Sequence, residues 1–278
     1  MRWFAHSARV EQGIPAQGYG EHIRNTLKLA KIYAEEAVRY TQWPERLIQA
    51  AALAAEYHDL GKLDDGNQEI LSGAVKANVL PIPHIDSGVH HLKSLGGTSP
   101  LHGVILTLAH HRPGLVDLNK EIARGNDAFR HQDPEIRTLT EERIDQYLGR
   151  HHSEVGKRAF SPPTGKQPKE DDLPPFLRIA LSCLVDADHG DTARHYGMAK
   201  APAIELNPEK RLELLDQYVL KLGSGDGTLR ERLRKRVYEV SRDKEINGSM
   251  IACDSPVGTG KTTAVMAHLL KTAKTKYL

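Results

Sequence analysis

Adjacent His58 and Asp59, at the end of the apolar run that begins near Leu47, constrain this chain more than any other feature. Consecutive residues on a helix point about 100° apart, so a neighbouring imidazole and carboxylate flank one small volume. Further groups of the same chemistry are scattered far along the sequence. They are His22 upstream, then His84, the doublet His110-His111 and the acidic cluster Asp186-Ala187-Asp188. A chain that uses them together must close several helices around a single cavity.

Hydrophobic periodicity is helical over most of the length. Ile23, Leu27, Ala30, Ala34 and Ala37 recur at three- and four-residue steps and predict a helix over residues 21–40, with His22 in its first turn. Pro44 suits the first turn of a second helix carrying Leu47, Ala50, Ala51 and Ala54 toward the core, with Gly61 as its stop. Pro81-Ile82-Pro83 forces an extended approach to His84, and the helix after it, with Ile85, Val89 and Leu92, ends at Gly96-Gly97. Pro100 opens another helix, in which Leu101, Val104, Ile105 and Leu108 lead into His110-His111 before Arg112-Pro113-Gly114.

Residues 112–135 read as loop, and residues 140–149 as a short polar helix capped by Thr140. The proline-rich segment 157–175 reads as a linker, either a disordered surface loop or a DNA-contacting one. Phe176, Ile179, Ala180, Leu184 and Val185 mark a buried helix ending at the acidic cluster. Amphipathic and basic helices follow over 208–222 and 229–242, separated by the glycine-rich break 223–227. Met250-Ile251-Ala252-Cys253 then predicts a strand leading into Ser255-Pro256-Val257-Gly258-Thr259-Gly260-Lys261-Thr262.

The expected fold class is mainly α: a helical bundle over 1–222, a linker and basic helix over 223–248, and a strand–loop–helix start of an α/β domain over 249–278. Only 17 of the 278 residues follow Lys261, so the chain reads as a fragment of a longer protein. Charged residues make up 27% and nearly cancel, to a net charge of +2, so nucleic-acid contacts must come from local patches. No segment is long and apolar enough to span a bilayer, residues 1–7 lack a secretory pattern, and Cys183 and Cys253 make no disulfide framework. A cytoplasmic setting and a monomer are the expectation.

A carboxylate can bridge two divalent ions, whereas each imidazole serves one. The residues divide naturally into a first position of His22, His58, Asp59 and one acid of the 186–188 cluster, and a second of Asp59, His84, His110 and His111. Ions roughly 3.5–4 Å apart stabilise the attacking and leaving oxygens of phosphodiester substitution. Imidazole-rich mixed sites suit manganese, iron, cobalt, nickel or zinc better than magnesium, which remains admissible. His90 and His91 compete with His84, which is favoured because it begins its helix; Asp188 is favoured over Asp186. Lys62, one turn past His58, could steady a substrate phosphate or simply complement a helix C-terminus. In the glycine loop, Gly258, Thr259 and Gly260 would wrap phosphates, Lys261 would reach the terminal ones and Thr262 would hold magnesium.

These motifs together resemble the HD nuclease domain of the CRISPR-associated nuclease-helicase of type I systems. The resemblance covers residues 1–200 and is carried by His22, His58-Asp59, His84-Ile85-Asp86-Ser87-Gly88, His110-His111-Arg112-Pro113-Gly114-Leu115 and Leu184-Val185-Asp186-Ala187-Asp188-His189-Gly190-Asp191-Thr192. Ser255 to Thr262 is similar to the first motif of superfamily 2 helicases, and Leu229 to Val237 resembles the family's entry to that RecA-like domain.

The resemblance implies metal ligands at His22, His58, Asp59, His84, His110, His111 and Asp188; the candidate catalytic residues are His58, Asp59 and Lys62. It implies ATP and magnesium at the glycine loop of the full-length protein, single-stranded DNA as substrate and recruitment by an RNA-guided surveillance complex in antiviral defence. Asp191-Thr192-Ala193 stands where the family has Asp-Thr-Glu, a departure that removes one carboxylate. Two rival readings use the same residues: an HD phosphohydrolase acting on nucleotides or signalling nucleotides, and a docking module whose metal is structural.

Overall fold

The computed structural model describes residues 2–111, 114–125, 127–163, 165–198, 205–223, 225, 227–245 and 252–276. Its contacts divide the chain into two units, Met1–Lys200 and Ala201–Leu278. Both are helical; among the described residues the named strands are one antiparallel pair, β1 (Phe4–His6) and β2 (Gln17–Gly18), which sets His6 opposite Gln17.

The first unit is built on α1 (Tyr19–Ala37), α2 (Pro44–Tyr57), a 3-10 turn over Leu60–Leu63, α3 (Asp65–Leu71), α4 (His84–Leu95) and α5 (Thr98–Ala109). The short α6 (Leu118–Ala123) follows, then α7 (Pro134–Glu142), α8 (Ile144–Val155) and the long α9 (Leu173–His195). Helices α1, α2, α5 and α9 pack on one another through Leu27, Ala30, Leu47, Ala51, Ile105, Phe176 and Leu184. Alanine at so many contact positions lets the backbones come close. A second cluster, with Tyr19, Ile23, Leu60, Leu63 and Tyr147, seats the 3-10 turn against α8. A third, with Leu53, Tyr57, Val89, Leu92 and Val104, clamps α4 between α2 and α5.

Two glycines set the spacing around the His-Asp pair. A Cβ at Gly88 would collide with the carbonyl oxygen of Tyr57, so α4 rests directly on the end of α2. A Cβ at Gly61 would lie 2.7 Å from the Cα of His84. Both close approaches bring the start of α4 to the residues that follow α2.

Several expectations need correction. The helix expected at 140–149 is two helices, because Asp133 accepts from Glu135 N–H at 2.9 Å and Pro134 occupies the first position, starting α7 earlier. Thr140 is inside α7 and donates back to the Ile136 carbonyl at 2.7 Å rather than capping. The stretch 112–135 contains α6, capped by Asp117, although Arg112 and Pro113 lie outside the described residues.

Helix α9 does not stop at the acidic cluster but continues to His195. Its buried face simply changes from apolar to ionic, passing from Ala180 and Leu184 to Ala187, Asp188 and Asp191. Segment 157–175 is largely without regular structure yet tied down: Arg46 Nε donates to the Gly165 carbonyl at 2.8 Å and Gln49 Nε2 to that of Ser161 at 2.5 Å.

The second unit holds α10 (Pro208–Lys221), α11 (Leu229–Asp243) and α12 (Lys261–Lys276), with α12 packed on the other two. The division at Lys200 groups α10 with α11 and α12 by contacts. Arg242 grips Asp216 with Nε at 2.9 Å and a terminal nitrogen at 2.8 Å, and Tyr238 donates to the same carboxylate at 2.7 Å. These bonds give α10 a specific partner in α11. Ala252 and Cys253 are not in a strand, while Met250 and Ile251 lie outside the described residues. A strand needs a ladder partner, and the described residues of this unit offer none.

Candidate metal centre

Five helices or helix ends deliver the His and Asp side chains to one place. The Tyr19 N–H donates to the Trp3 carbonyl at 2.8 Å, which anchors the start of α1 and places His22 in its first turn. His58 closes α2, its N–H donating to the Ala54 carbonyl at 2.9 Å, and Asp59 leads into the 3-10 turn. His84 is the first residue of α4, His110 and His111 follow α5, and Asp188 lies within α9.

Asp59 stands between two groups. Its Oδ2 faces His22 Nε2 at 3.4 Å and His58 Nε2 at 3.5 Å, while Oδ1 faces His84 Nε2 at 3.8 Å. Asp188 Oδ1 closes the first side, 3.3 Å from His22 Nε2 and 3.7 Å from His58 Nε2. On the second side the ring centres of His58 and His110 are 5.2 Å apart, and those of His84 and His111 are 5.1 Å apart. Ligand atoms of Asp59, His84, His110 and His111 all lie within 4.8 Å of one another, as do those of His22, His58 and Asp59, and those of His58, His110 and Asp188. These His/Asp groups can hold a metal ion.

The outer hydrogen bonds match such a role. His58 Nδ1 donates to the Ala55 carbonyl at 3.0 Å and His110 Nδ1 to that of Thr107 at 2.6 Å. A carbonyl only accepts, so each Nδ1 carries the hydrogen and each Nε2 keeps its lone pair for the cavity. His22 Nδ1 faces Asp191 Oδ2 at 2.9 Å.

Inside the cavity Nε2 of His22, His58, His84 and His110 and Oδ1 of Asp59 have no hydrogen-bond partner. Asp59 Oδ2 also lacks a well-angled hydrogen bond, although Lys62 Nζ stands 2.6 Å away. Each buried polar atom left unpaired costs about 1–3 kcal/mol. A cluster of them converging on one volume is a donor set able to hold a cation. It brings together His22, His58, Asp59, His84, His110, His111 and Asp188.

Electrostatics divide the histidines. Burial pushes His84 down to about 4 and His110 well below its ordinary value, so both imidazoles are neutral at pH 7. His22 behaves oppositely: burial lowers it, but the Asp188, Asp191 and Asp59 carboxylates outweigh that and raise it to about 10. Burial also works against the Asp59 and Asp188 charges. Lys62 holds the first well below the carboxylate range, and His22 holds the second low. Without a divalent cation, a proton on His22 and the Lys62 ammonium offset only part of the charge of Asp59, Asp188 and Asp191.

Competing candidates fall away by position. Asp186 is exposed on the far side of α9, whereas Asp188 is buried at the cluster. His90 packs on Phe129 with ring centres 5.3 Å apart, and His91 on Tyr57 at 4.4 Å. Three neighbours of the cluster were not among the ligands expected from the sequence. Asp191, one helical turn beyond Asp188, orients His22 and accepts from Gln17 Nε2 at 2.7 Å; the i, i+3 spacing on one helix was the available signal. His6 lies with its ring centre 4.8 Å from that of His22 and its Nε2 3.1 Å from Thr192 Oγ1, a contact made by a strand that only the fold brings near. His189 joins His111 and Asp188 at the rim.

In the second unit the glycine loop precedes α12 directly. Gly258 and Gly260 have φ of +83° and +79°, backbone that side-chain-bearing residues rarely adopt. Thr259 Oγ1 donates to the Pro256 carbonyl and Lys261 Nζ to that of Ser255, both at 2.7 Å. No protein-family model matches this chain, and no curated protein matches it in sequence.

Proposed function

We propose that the chain is a metal-dependent phosphodiesterase of the HD class acting on single-stranded DNA, the nuclease part of a CRISPR type I nuclease-helicase. One observation carries the reading: Asp59 directs one carboxylate oxygen at the buried His22 and His58 imidazoles and the other at the half-buried His84. His22, His58, Asp59 and Asp188 would hold one divalent ion, and Asp59, His84, His110 and His111 a second. Such a pair supplies charge for the attacking and leaving oxygens of phosphodiester hydrolysis. The protein's part is to keep the Nε2 lone pairs aimed inward through Ala55, Thr107 and Asp191, and to keep water from solvating the acids by burying them. Lys62 sits where an ammonium can turn from Asp59 to a substrate phosphate.

A polynucleotide is favoured over a free nucleotide by the second unit. Its glycine loop has the positive-φ turns of a phosphate cradle, and Arg234 of the basic α11 donates to the Gly258 carbonyl at 2.8 Å. Gly258, Thr259, Gly260, Lys261 and Thr262 would serve ATP and magnesium in the full helicase, and an RNA-guided surveillance complex would deliver the displaced strand. The decisive assay incubates the protein with manganese or nickel and circular single-stranded DNA beside a nucleotide panel. Cleavage of the circle, abolished in Asp59→Ala, is the expected result. Hydrolysis of nucleotides with the circle intact would instead establish a nucleotide phosphohydrolase.

A further inference from the structure

The rim of the cluster carries a further ligand group, which shares His111 and Asp188 with the two inner positions and adds His189. His189 is exposed on α9, and its ligand atom, one from Asp188 and one from His111 all lie within 4.8 Å of one another. Asp188 turns Oδ1 inward, 3.3 Å from His22 Nε2 and 3.7 Å from His58 Nε2. A carboxylate has a second oxygen, which can serve another cation. His189 is the next residue on the helix, about 100° further round, and so flanks the same acid from its outer side. Exposure rises in this direction: the side chains of His22 and His58 are 0% exposed and that of His84 23%, while His111 and His189 are exposed.

We propose that His111, Asp188 and His189 form a third divalent-cation position at the entrance, where an incoming substrate phosphate meets it first. The inference rests on the inner cluster being a metal centre. Two imidazoles and one carboxylate select a transition-metal ion rather than calcium or magnesium. Three protein ligands leave coordination open to solvent or to a phosphate oxygen, as in sites that exchange ligands rather than in closed structural ones. A neutral imidazole has one lone pair, so His111 serves either the inner or the outer ion. With the outer ion in place, Asp59, His84 and His110 remain for the inner one. Two exposed ligands must be ordered and stripped of water, which makes this the last position to fill.

Cobalt(II) titrated into the chelator-stripped full chain, followed by visible absorption, tests the assignment. Three equivalents are expected for the wild type, the third the weakest, and two for His189→Ala with unchanged circular dichroism. His189→Cys should show cobalt–thiolate charge-transfer absorption at its third equivalent, a band absent from the wild type and from His189→Ala. A wild type that stops at two equivalents, three equivalents in His189→Ala, or no thiolate band in His189→Cys overturns the entrance position and leaves the inner pair standing. Fewer than two equivalents in the wild type overturns both.

Discussion

At the scale of single residues, the side chains behind the ligands matter as much as the ligands. Asp191 accepts from His22 and from Gln17, and it is almost wholly buried. Asp191→Asn keeps the shape but removes the anion that orients His22. Metal affinity, measured by competition with a chelator, should fall about 10–100-fold; an unchanged affinity would mean that His22 needs no such support.

Asp64 offers a separate test, away from the metal cluster. Burial alone would raise its carboxyl, but hydrogen bonds from Tyr147, Arg143 and the Gly66 N–H outweigh this and hold it below its ordinary 3.8. A carboxyl held down in the folded protein stabilises the fold above its unfolded value, and that contribution fades as pH falls through the folded value. Asp64→Asn should therefore be less stable than the wild type at neutral pH, with the gap narrowing as pH drops below 3.8. Urea unfolding of both proteins across that range checks the sign, and a constant gap contradicts it.

At the scale of elements, spacing is set by where backbones touch. Gly88 lies one turn after His84 on α4, and a methyl group there has no room against the Tyr57 carbonyl. Gly88→Ala should cost roughly 1–3 kcal/mol, the range for overpacking a tight contact. It should also weaken the metal position that includes His84 more than the one that includes His22. Denaturation together with metal titration separates the two effects; a variant as stable as the wild type would show that α4 can slide freely.

Elements were also where the sequence was read best and worst. The starts at Pro44 and His84 were legible because proline and the apolar period agree there. The end of α9 was not, because a buried ionic face carries the same residues as a solvated helix end. Thr140 misled for a similar reason: its hydroxyl serves a cap or an i−4 carbonyl equally well, and the neighbouring Asp133-Pro134 decided between them.

At the scale of the whole molecule, the proposed ions would tie α1, α2, α4, α5 and α9 of the first unit together. Metal bound only by the folded state stabilises it, by about 2.7 kcal/mol when free metal is 100 times Kd. Chelation should therefore lower the unfolding temperature, and added manganese should restore it. Tryptophan fluorescence reports this well, since both tryptophans, Trp3 and Trp43, belong to the unit ending at Lys200. An unfolding temperature indifferent to chelator would argue against a ligand set shared among five helices.

By itself the sequence determined which residues have metal-binding chemistry, and that the chain is mainly helical, because residue type and apolar period are local properties. It could not determine that Asp188 rather than Asp186 turns inward, that Asp191 steadies His22, or that α10 belongs with α12. Those outcomes depend on which helix face meets which neighbour. That choice follows from packing between segments far apart in the chain, and only the closed fold expresses it.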